Sequence, residues 1–161
     1  MAVYTKTGDK GETGTFAGTR VRKSSQLIKT IGAIDELNSF LGIVGGLTNV
    51  QQNLFTINAI LTGAKIKLSE DATKKLEREI DEIEGKLPVQ KNFIIYSGTK
   101  RATELFFARA LCRAAERELV DLKTDPAAEI YINRLSDYLF MIARLENFKK
   151  KKKEVYWKGS K

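Results

Sequence analysis

The sequence has 161 residues and contains no histidine, one cysteine and two prolines. Without histidine it can form neither a Ser-His-Asp nor a Cys-His nucleophile, and no metal site can use a histidine ligand. The single cysteine, Cys112, cannot form an internal disulfide, so the cysteine content does not imply an oxidising compartment. These absences exclude the common nucleophile–histidine hydrolases and the histidine-ligated metal enzymes.

No apolar run approaches the 18 residues that a membrane span needs, so we expect no membrane partner. The opening residues, MAVYTKTGDKGET, lack the apolar core of a signal peptide, and we expect a cytoplasmic protein. Hydrophobic residues make up 42% and charged residues 30% of the chain, which is typical of a globular protein. The length predicts one domain over residues 1–161.

The net charge of +8 is concentrated at one end of the chain. Seven lysines and one glutamate in residues 149–161 account for +6 of it. A nucleic-acid-binding surface would spread its basic residues over a folded face, so we expect no nucleic acid partner. We interpret residues 149–161 as a lysine-rich, solvated C-terminal tail. The alternative is a basic helical module that binds nucleic acid through this tail.

Residues 1–23 are polar, rich in glycine and without helical periodicity, and predict a structured loop. Glycine permits positive φ and close approach of the backbone, so the N–H groups of such a loop can converge on an anion. Lysines and threonines add charge and hydroxyl donors, which suits a polyphosphate. The loop has neither the GxxxxGK[ST] nor the GxGxxG motif. The alternative is a merely hydrophilic terminus.

Five segments show the apolar spacing of amphipathic helices, and no segment shows sustained strand alternation. The predicted helices cover residues 25–44, 51–68, 69–87, 99–122 and 126–148. Between the third and fourth, residues 92–97 predict a short extended link. The sequence therefore predicts an all-α protein, with an antiparallel five-helix bundle over residues 24–148 and apolar surface left for self-association.

The fourth helix carries charged side chains beside its apolar stripe. Arg109, Arg113 and Glu116 follow at steps of four and three, so they share one face, and Arg117 lies at its edge. Arginines in this position can bind phosphate in bidentate fashion, and Glu116 can orient one of them or bond a ribose or water. The alternative is a solvated face with ordinary ion pairs.

Polar residues near the seams of the bundle leave two interpretations open. Asn133 and Asp137 on the fifth helix, and Asp35 on the first, are either satisfied structural groups or ligand contacts. A carboxylate at a seam needs a basic partner, and Arg109 is a candidate for Asp35. A di-iron bundle site is excluded because it requires Glu-x-x-His motifs.

Five segments occur in an order that resembles a known family. They are YTKTGDKGETGTFAG, GAIDELNSFLG, FIIYSG, ARALCRAAER and YINRLSDYLF. Together they are similar to the PduO-type ATP:cob(I)alamin adenosyltransferases, from Tyr4 to about Asn147. The resemblance implies a trimer of five-helix bundles that transfers the 5′-deoxyadenosyl group of ATP to the cobalt of reduced cobalamin and releases triphosphate.

The resemblance also implies roles for individual residues. ATP would bind between subunits, and Mg²⁺ would accompany its phosphates. The positions that match ATP contacts are Thr5, Lys6, Thr7, Gly8, Thr13, Gly14, Lys23, Arg113, Glu116, Arg117 and Asn133. Asp35 and Arg109 match a pair that bridges subunits near the corrin, and Phe93 matches the aromatic residue that displaces the lower axial ligand of cobalt. We expect Arg113, Glu116 and Phe93 to matter most for catalysis.

The sequence departs from the family pattern at two places. Phe106 and Phe107 stand where the family often has a histidine, and Tyr96-Ser97-Gly98 replaces a frequent Pro-Gly-Gly turn. A reductase that supplies the electron and an enzyme that accepts the product would be further partners. The alternative enzyme is a helical ATP-dependent transferase with another acceptor.

Overall fold

The computed structural model describes residues 4–122 and 124–159, and these form five helices and one small hairpin. The helices are α1 (Gln26–Val44), α2 (Thr48–Leu61), α3 (Glu70–Glu84), α4 (Lys100–Val120) and α5 (Pro126–Lys149). They pack side by side in the order α2–α1–α4–α5–α3. The prediction of an all-α five-helix bundle is confirmed. No helix in this part of the chain is long and apolar enough to cross a bilayer.

Close packing of α4 on α5 forms the centre of the core. Small residues on α4, among them Ala108, Cys112 and Ala115, are fully buried and let the two helices approach each other closely. Large residues on α5, including Tyr131 and Leu135, are equally buried and fill the space opposite. The heptad-like spacing of these residues in the sequence therefore did mark the core.

Local sequence signals fix most of the helix ends. Ser69, Thr99 and Asp125 each accept a hydrogen bond from a backbone N–H in the first turn of α3, α4 and α5. Gly45 ends α1 with φ of 71°. Because the sequence shows these signals, the predicted boundaries of α1, α3, α4 and α5 lie within a few residues of the observed ones.

The predicted bounds of α2 were wrong at both ends. The helix ends at Leu61 because the Thr62 hydroxyl donates to the Asn58 and Ala59 carbonyls and Gly63 turns the chain with φ of 95°. Residues 64–68 were assigned to the helix on their apolar content, but only Leu68 is buried among them. The helix begins at Thr48, three residues before the predicted start.

A β-hairpin forms part of the region that the sequence predicts as a structured loop. Strands β1 (Glu12–Gly14) and β2 (Arg20–Arg22) pair in antiparallel fashion, with Thr13 opposite Val21. The tip of the hairpin packs on the end of α2, where Ala17 donates to the Thr62 carbonyl at 3.0 Å. With three residues each, the strands are too short to show alternation, which is why the sequence did not reveal them.

The backbone of the C-terminal segment, residues 150–159, folds back along the bundle, while nearly all of its side chains are exposed. Lys151 reverses the chain with φ of 54°, and Lys152 donates its N–H to the Asn147 carbonyl. Tyr156 then forms an antiparallel bridge with Ile94. The lysine side chains are exposed, as expected, but the backbone that carries them is folded onto the bundle.

Candidate functional site

The opening loop presents polar groups in front of the hairpin. The hydroxyls of Thr5 and Thr7 share a hydrogen bond of 2.8 Å, and Lys6 between them has φ of 57°. Arg20 donates to the Thr7 carbonyl at 2.6 Å, which ties the loop to β2. Thr5, Lys6 and Thr7 are all exposed, so this part of the loop offers hydroxyls and an ammonium group to a ligand.

Gly8 allows Lys23 to lie against the loop. A Cβ atom on Gly8 would be 3.2 Å from the Glu12 carbonyl oxygen and 3.4 Å from Lys23 Nζ. Lys23 also donates its N–H to the Gly11 carbonyl at 2.9 Å. The positive φ expected of these glycines occurs at Gly11, with 82°, and at Gly18, with 80°, whereas a side chain at Gly8 would crowd the Glu12 carbonyl. The structure thus brings the predicted Lys23 to the predicted loop.

Thr13 and Gly14 belong to the hairpin frame and not to the loop. Both lie in β1, where Gly14 pairs with Arg20, and none of the described residues comes within 4 Å of a Cβ built on Gly14. Gly14 has no positive φ, so neither strain nor crowding demands glycine there. Its missing side chain leaves open space beside the strand.

The second polar group lies on the facing sides of α4 and α5. Asn133 donates its side-chain amide to Glu116 at 2.7 Å, so these two predicted residues are brought together. Arg113 and Arg117 flank Glu116 on exposed turns of α4, and neither forms an ion pair within residues 4–122 and 124–159. Among the described residues Glu116 therefore accepts from an amide and pairs with neither arginine, and its role toward a ribose or water stays a prediction. Two guanidinium groups remain able to bind an anion.

Hydrogen bonds place the loop and this group at the same end of the bundle. Gln26 donates to the Glu118 carboxylate at 2.7 Å, and the Thr30 hydroxyl donates to the Glu118 carbonyl at 2.8 Å. The start of α1, and the loop that leads into it, thus lie beside the half of α4 that carries Arg113 and Arg117. Among the described residues no hydrogen bond or ion pair joins the loop to either arginine in one chain.

Phe93 lies on an extended link, as predicted, and its side chain is 76% exposed. Its carbonyl accepts from the Trp157 N–H at 2.8 Å, and Ile95 donates to the Val155 carbonyl at 2.7 Å. Ile94 between them points inward and is buried. Phe93 is therefore not part of the hydrophobic core. The link is one strand of a short pair whose other strand is the C-terminal segment.

Arg109 lies among aromatic rings. Its guanidinium group is 5.6 Å from the Tyr96 ring centroid and 5.5 Å from that of Phe140, and it donates to the Tyr96 hydroxyl at 3.1 Å. Phe106 stacks on Tyr96, with the two ring centroids 4.9 Å apart. Asp35 is exposed, and over the described ranges it forms no ion pair with Arg109 within one chain. The structure does not bring this predicted pair together inside a protomer.

Two buried groups of the bundle, the Cys112 thiol and the Tyr131 phenol, are held in their neutral forms. Burial raises the pKa of the Cys112 thiol far above its ordinary value, and the nearby Glu116 carboxylate raises that pKa further. Burial also raises the pKa of Tyr131 to about 12, although the hydrogen bond from Asn53 opposes the shift. At neutral pH neither group supplies a thiolate or phenolate nucleophile.

Sequence reasoning missed the ion pair that holds the C-terminal segment. Arg144 on α5 is buried and donates to the Glu154 carboxylate at 2.7 Å and to the Pro88 carbonyl at 3.0 Å. Tyr156 donates to the same carboxylate at 3.2 Å. The signal that could have found it is an arginine among the inward positions of α5, since a buried arginine requires a partner.

A second unrecognised contact fixes the turn after the link. Asn147 donates its amide to the Ser97 carbonyl and accepts from the Thr99 N–H. Gly98 has φ of 124°, and a Cβ there would collide with the Asn147 side chain. Gly98 is the glycine kept in the turn that otherwise departs from Pro-Gly-Gly, and both its conformation and its packing require it.

Comparison with known proteins gives consistent matches over almost the whole chain. A sequence model of the family described as cobalamin adenosyltransferase matches residues 3–146. A corrinoid adenosyltransferase of Bacillus subtilis is 40% identical, over 91% of this chain and 87% of that protein. The corrinoid adenosyltransferase MMAB of Mus musculus is 36% identical, over 97% of this chain and 77% of its own.

A solved structure shows the same fold. A phenylalanine-to-histidine variant of the PduO-type ATP:corrinoid adenosyltransferase from Lactobacillus reuteri, complexed with cobalamin and ATP, superimposes with a TM-score of 0.91. It is 32% identical in sequence, and the match covers 99% of this chain and 98% of that one.

Proposed function

The chain belongs to the cobalamin adenosyltransferase family, and we propose that it transfers the 5′-deoxyadenosyl group of ATP to the cobalt of cob(I)alamin. The products are adenosylcobalamin and triphosphate. The observation that carries this proposal beyond family membership is the pair of exposed arginines, Arg113 and Arg117, beside the Glu116–Asn133 hydrogen bond. Two guanidinium groups one turn apart suit a leaving group that carries several negative charges.

The reaction needs no nucleophile from the protein, because cob(I)alamin supplies the electron pair. The cobalt attacks C5′ of ATP, the C5′–O bond breaks, and triphosphate leaves with the bonding electrons. Cys112 and Tyr131 are neutral and do not compete as nucleophiles, which is consistent with a reaction in which the corrin supplies the nucleophile. The protein contributes by orienting ATP and by stabilising the charge that develops on the triphosphate.

In this proposal the two polar groups of the site hold different parts of ATP. Thr5, Lys6, Thr7, Gly8 and Lys23 surround the phosphates, with Thr13 and Gly14 forming the floor of the hairpin beside them. Arg113 and Arg117 bind the leaving triphosphate, while Glu116 and Asn133 bind the nucleoside. No hydrogen bond or ion pair joins the loop to the arginines among the described residues of one chain. In this proposal the loop of one subunit and the helices of its neighbour therefore complete the site together, in a homotrimer.

The corrin lies on the aromatic side of the bundle. Phe93 is exposed on a link that is held on both sides, so its ring can cover the lower face of cobalt and exclude an axial ligand. An axial ligand donates electron density to cobalt, so excluding it makes the reduction of cob(II)alamin easier. Arg109, held over Tyr96 and Phe140, faces Asp35 of the adjacent subunit near the corrin.

Mg²⁺ enters with ATP in this proposal and is held by phosphate oxygens and water. Within the described part of the chain, no three His, Cys, Asp or Glu side chains lie together as a metal site. A cytoplasmic location is part of the proposal because ATP is available there. A reductase and a cobalamin-dependent acceptor enzyme complete the sequence of reactions.

The test is the visible spectrum of the corrin during incubation with ATP, Mg²⁺ and chemically reduced cobalamin. We expect the cob(I)alamin bands to be replaced by those of adenosylcobalamin, and photolysis to cleave the new cobalt–carbon bond. Mixtures without ATP or without protein should not change in this way. Unchanged spectra in the complete mixture would refute the proposal.

A further inference from the structure

A cavity of about 720 Å³ opens between α5, the Leu87–Pro88 stretch that follows α3, and the C-terminal segment. Its walls are apolar and come from Leu87, Pro88, Phe148 and Tyr156. Two of these side chains are well exposed, Phe148 at 51% and Tyr156 at 39%. A volume of this size lies within the range of sites that bind a molecule or several side chains, and far exceeds what one ion needs.

Lysines form the rim of the same cavity. Lys149, Lys151, Lys152 and Lys153 line it, and all four are exposed. The two other charged lining residues, Arg144 and Glu154, form an ion pair at 2.7 Å, so their charges cancel. The cavity therefore combines apolar walls with an excess of four positive charges. We refer to these apolar walls and their four lysines as the lysine cavity.

The backbone that carries these lysines is fixed in place. Lys150 and Lys151 close the end of α5 through hydrogen bonds to the Glu146 and Phe148 carbonyls, and Lys152 bonds to Asn147. The bridge between Tyr156 and Ile94 holds the far side. A pre-formed arrangement binds with a smaller entropy loss than a flexible lysine tail would.

We propose that the lysine cavity is a docking site for an acidic segment of a partner protein, with an apolar or aromatic side chain that inserts between the walls. Carboxylates of the segment pair with the lysine ammonium groups at the rim, and the inserted side chain covers Phe148 and Tyr156. A polyanion without apolar groups would leave the walls exposed to water, and an apolar ligand without charge would leave the lysines unused.

The position of the cavity gives the partner access to the proposed corrin site. Tyr156 forms both a wall of the lysine cavity and the bridge to Ile94, which neighbours Phe93. A protein docked here would lie beside the link. The docking proposal itself rests on the cavity and its charges alone, and it stands or falls independently of the adenosyl transfer reaction.

The test is fluorescence anisotropy with the full chain and labelled synthetic peptides. The first probe is a short peptide of Asp and Glu residues around a Trp-Leu pair, and the second has the same charges with Trp and Leu replaced by Ser. We expect the first to bind about tenfold more tightly, because about 1.4 kcal/mol of apolar contact corresponds to that ratio. Both affinities should fall as salt screens the lysines.

Two variants separate the contributions of charge and apolar contact. K152E/K153E should abolish binding of both peptides. F148S should remove the preference for the Trp-Leu peptide and leave the weaker, salt-dependent binding intact. The matched control is K65E/K67E, which makes the same charge change just before α3, whose 15 residues separate it from the lysine cavity by about 22 Å. The control should bind both peptides like the wild type.

Three results would overturn the proposal. Equal binding of the two peptides would show that charge alone acts and that the cavity is not used. An equal loss in K65E/K67E would show that only net charge matters. Tighter binding of a single-stranded oligonucleotide or of phosphatidylserine vesicles, lost in K152E/K153E, would assign the lysines to another class of partner.

Discussion

Arg113 is the residue whose chemistry is least replaceable in the proposed phosphate site. Lysine keeps the charge of arginine but loses its planar pair of donors, and it cannot bind two phosphate oxygens in the same way. We predict that R113K lowers kcat by about ten- to a hundredfold, the equivalent of one charge-assisted hydrogen bond, with a smaller change in KM for ATP. Steady-state kinetics with cob(I)alamin in excess measures both values.

Arg78 provides the matched control for this substitution. It is an exposed arginine on α3, away from the α4–α5 face, so R78K should have wild-type kinetics. If R113K and R78K behave alike, Arg113 does not contact the leaving group, and the phosphate site must be placed elsewhere.

Phe93 differs from the core phenylalanines because most of its surface is exposed. We predict that F93A strongly slows adenosylation when cob(II)alamin must be reduced on the enzyme, and slows it much less when cob(I)alamin is supplied. The affinity for ATP should stay nearly unchanged. Since the side chain is 76% exposed, the free energy of unfolding should fall by under about 1 kcal/mol and not by the 3–5 kcal/mol typical of a core position.

The exposed Phe55 on α2 serves as the control for removing an aromatic ring from the surface. F55A should leave both assays unchanged. An equal loss of rate in the two assays of F93A, together with a large drop in melting temperature, would mean that the link is structural and that the ring does not act on cobalt.

Among the structural elements, the pairing of the 92–97 link with the C-terminal segment depends on one buried ion pair. Arg144 is 5% exposed, and Glu154 supplies its carboxylate. We predict that E154Q destabilises the protein by about 3 kcal/mol, because it leaves the buried guanidinium group without a counter-charge. Chemical denaturation, followed by circular dichroism, gives the free energy of unfolding.

The Arg134–Glu77 pair between α5 and α3 offers the comparison, since both side chains are about one-third to one-half exposed. E77Q should cost about 1 kcal/mol or less, also because Arg134 keeps its second partner, Asp137. Equal effects of the two substitutions would show that burial of Arg144 contributes nothing, contrary to our account of the segment.

How well each element could be predicted depended on how far apart in the sequence the residues lie whose contacts determine its position. α4 and α5 followed from spacing alone, since Leu105, Cys112 and Leu119 mark a buried stripe that the chain repeats locally. The C-terminal segment did not, because its position depends on Glu154 meeting Arg144 and on Tyr156 meeting a strand 62 residues earlier in the chain. Five successive lysines dominate its local pattern and conceal these contacts.

In the candidate site, too, the residue types could be predicted from the sequence, but the contacts between distant segments could not. The loop and the α4 residues could be singled out because glycine, threonine and arginine of these types suit phosphates wherever they occur. The partner of Glu116 could not be predicted from one helix, since Asn133 meets it only after α4 and α5 pack. The aromatic surroundings of Arg109 likewise come from three separate elements, with Tyr96, Phe106 and Phe140 in contact.

On the scale of the whole molecule, Asp35 is exposed and forms no ion pair with Arg109 within the described part of one chain, which leaves it available to a neighbouring subunit. We predict a trimer in which Asp35 of one subunit meets Arg109 of its neighbour, and D35N should shift the population toward monomer or weaken corrin binding. Breaking such a pair costs several kcal/mol if assembly buries it, about 3–5 kcal/mol in typical cases. Sedimentation velocity at micromolar concentration measures the population directly.

D81N is the control, because Asp81 is an exposed carboxylate on α3. It should sediment like the wild type. A monomeric wild-type protein would rule out the shared site, and identical behaviour of D35N and D81N would remove Asp35 from the interface.

The central claim is that the cobalt of cob(I)alamin, and not water or a protein side chain, attacks C5′ of ATP and displaces triphosphate. The most direct measurement quantifies adenosylcobalamin and the phosphate products in the same reaction mixture with cob(I)alamin, ATP and Mg²⁺. Our account predicts one triphosphate released for each cobalt–carbon bond formed, and no ATP consumption without the corrin. ADP or phosphate released from ATP without alkylation of cobalt would contradict it.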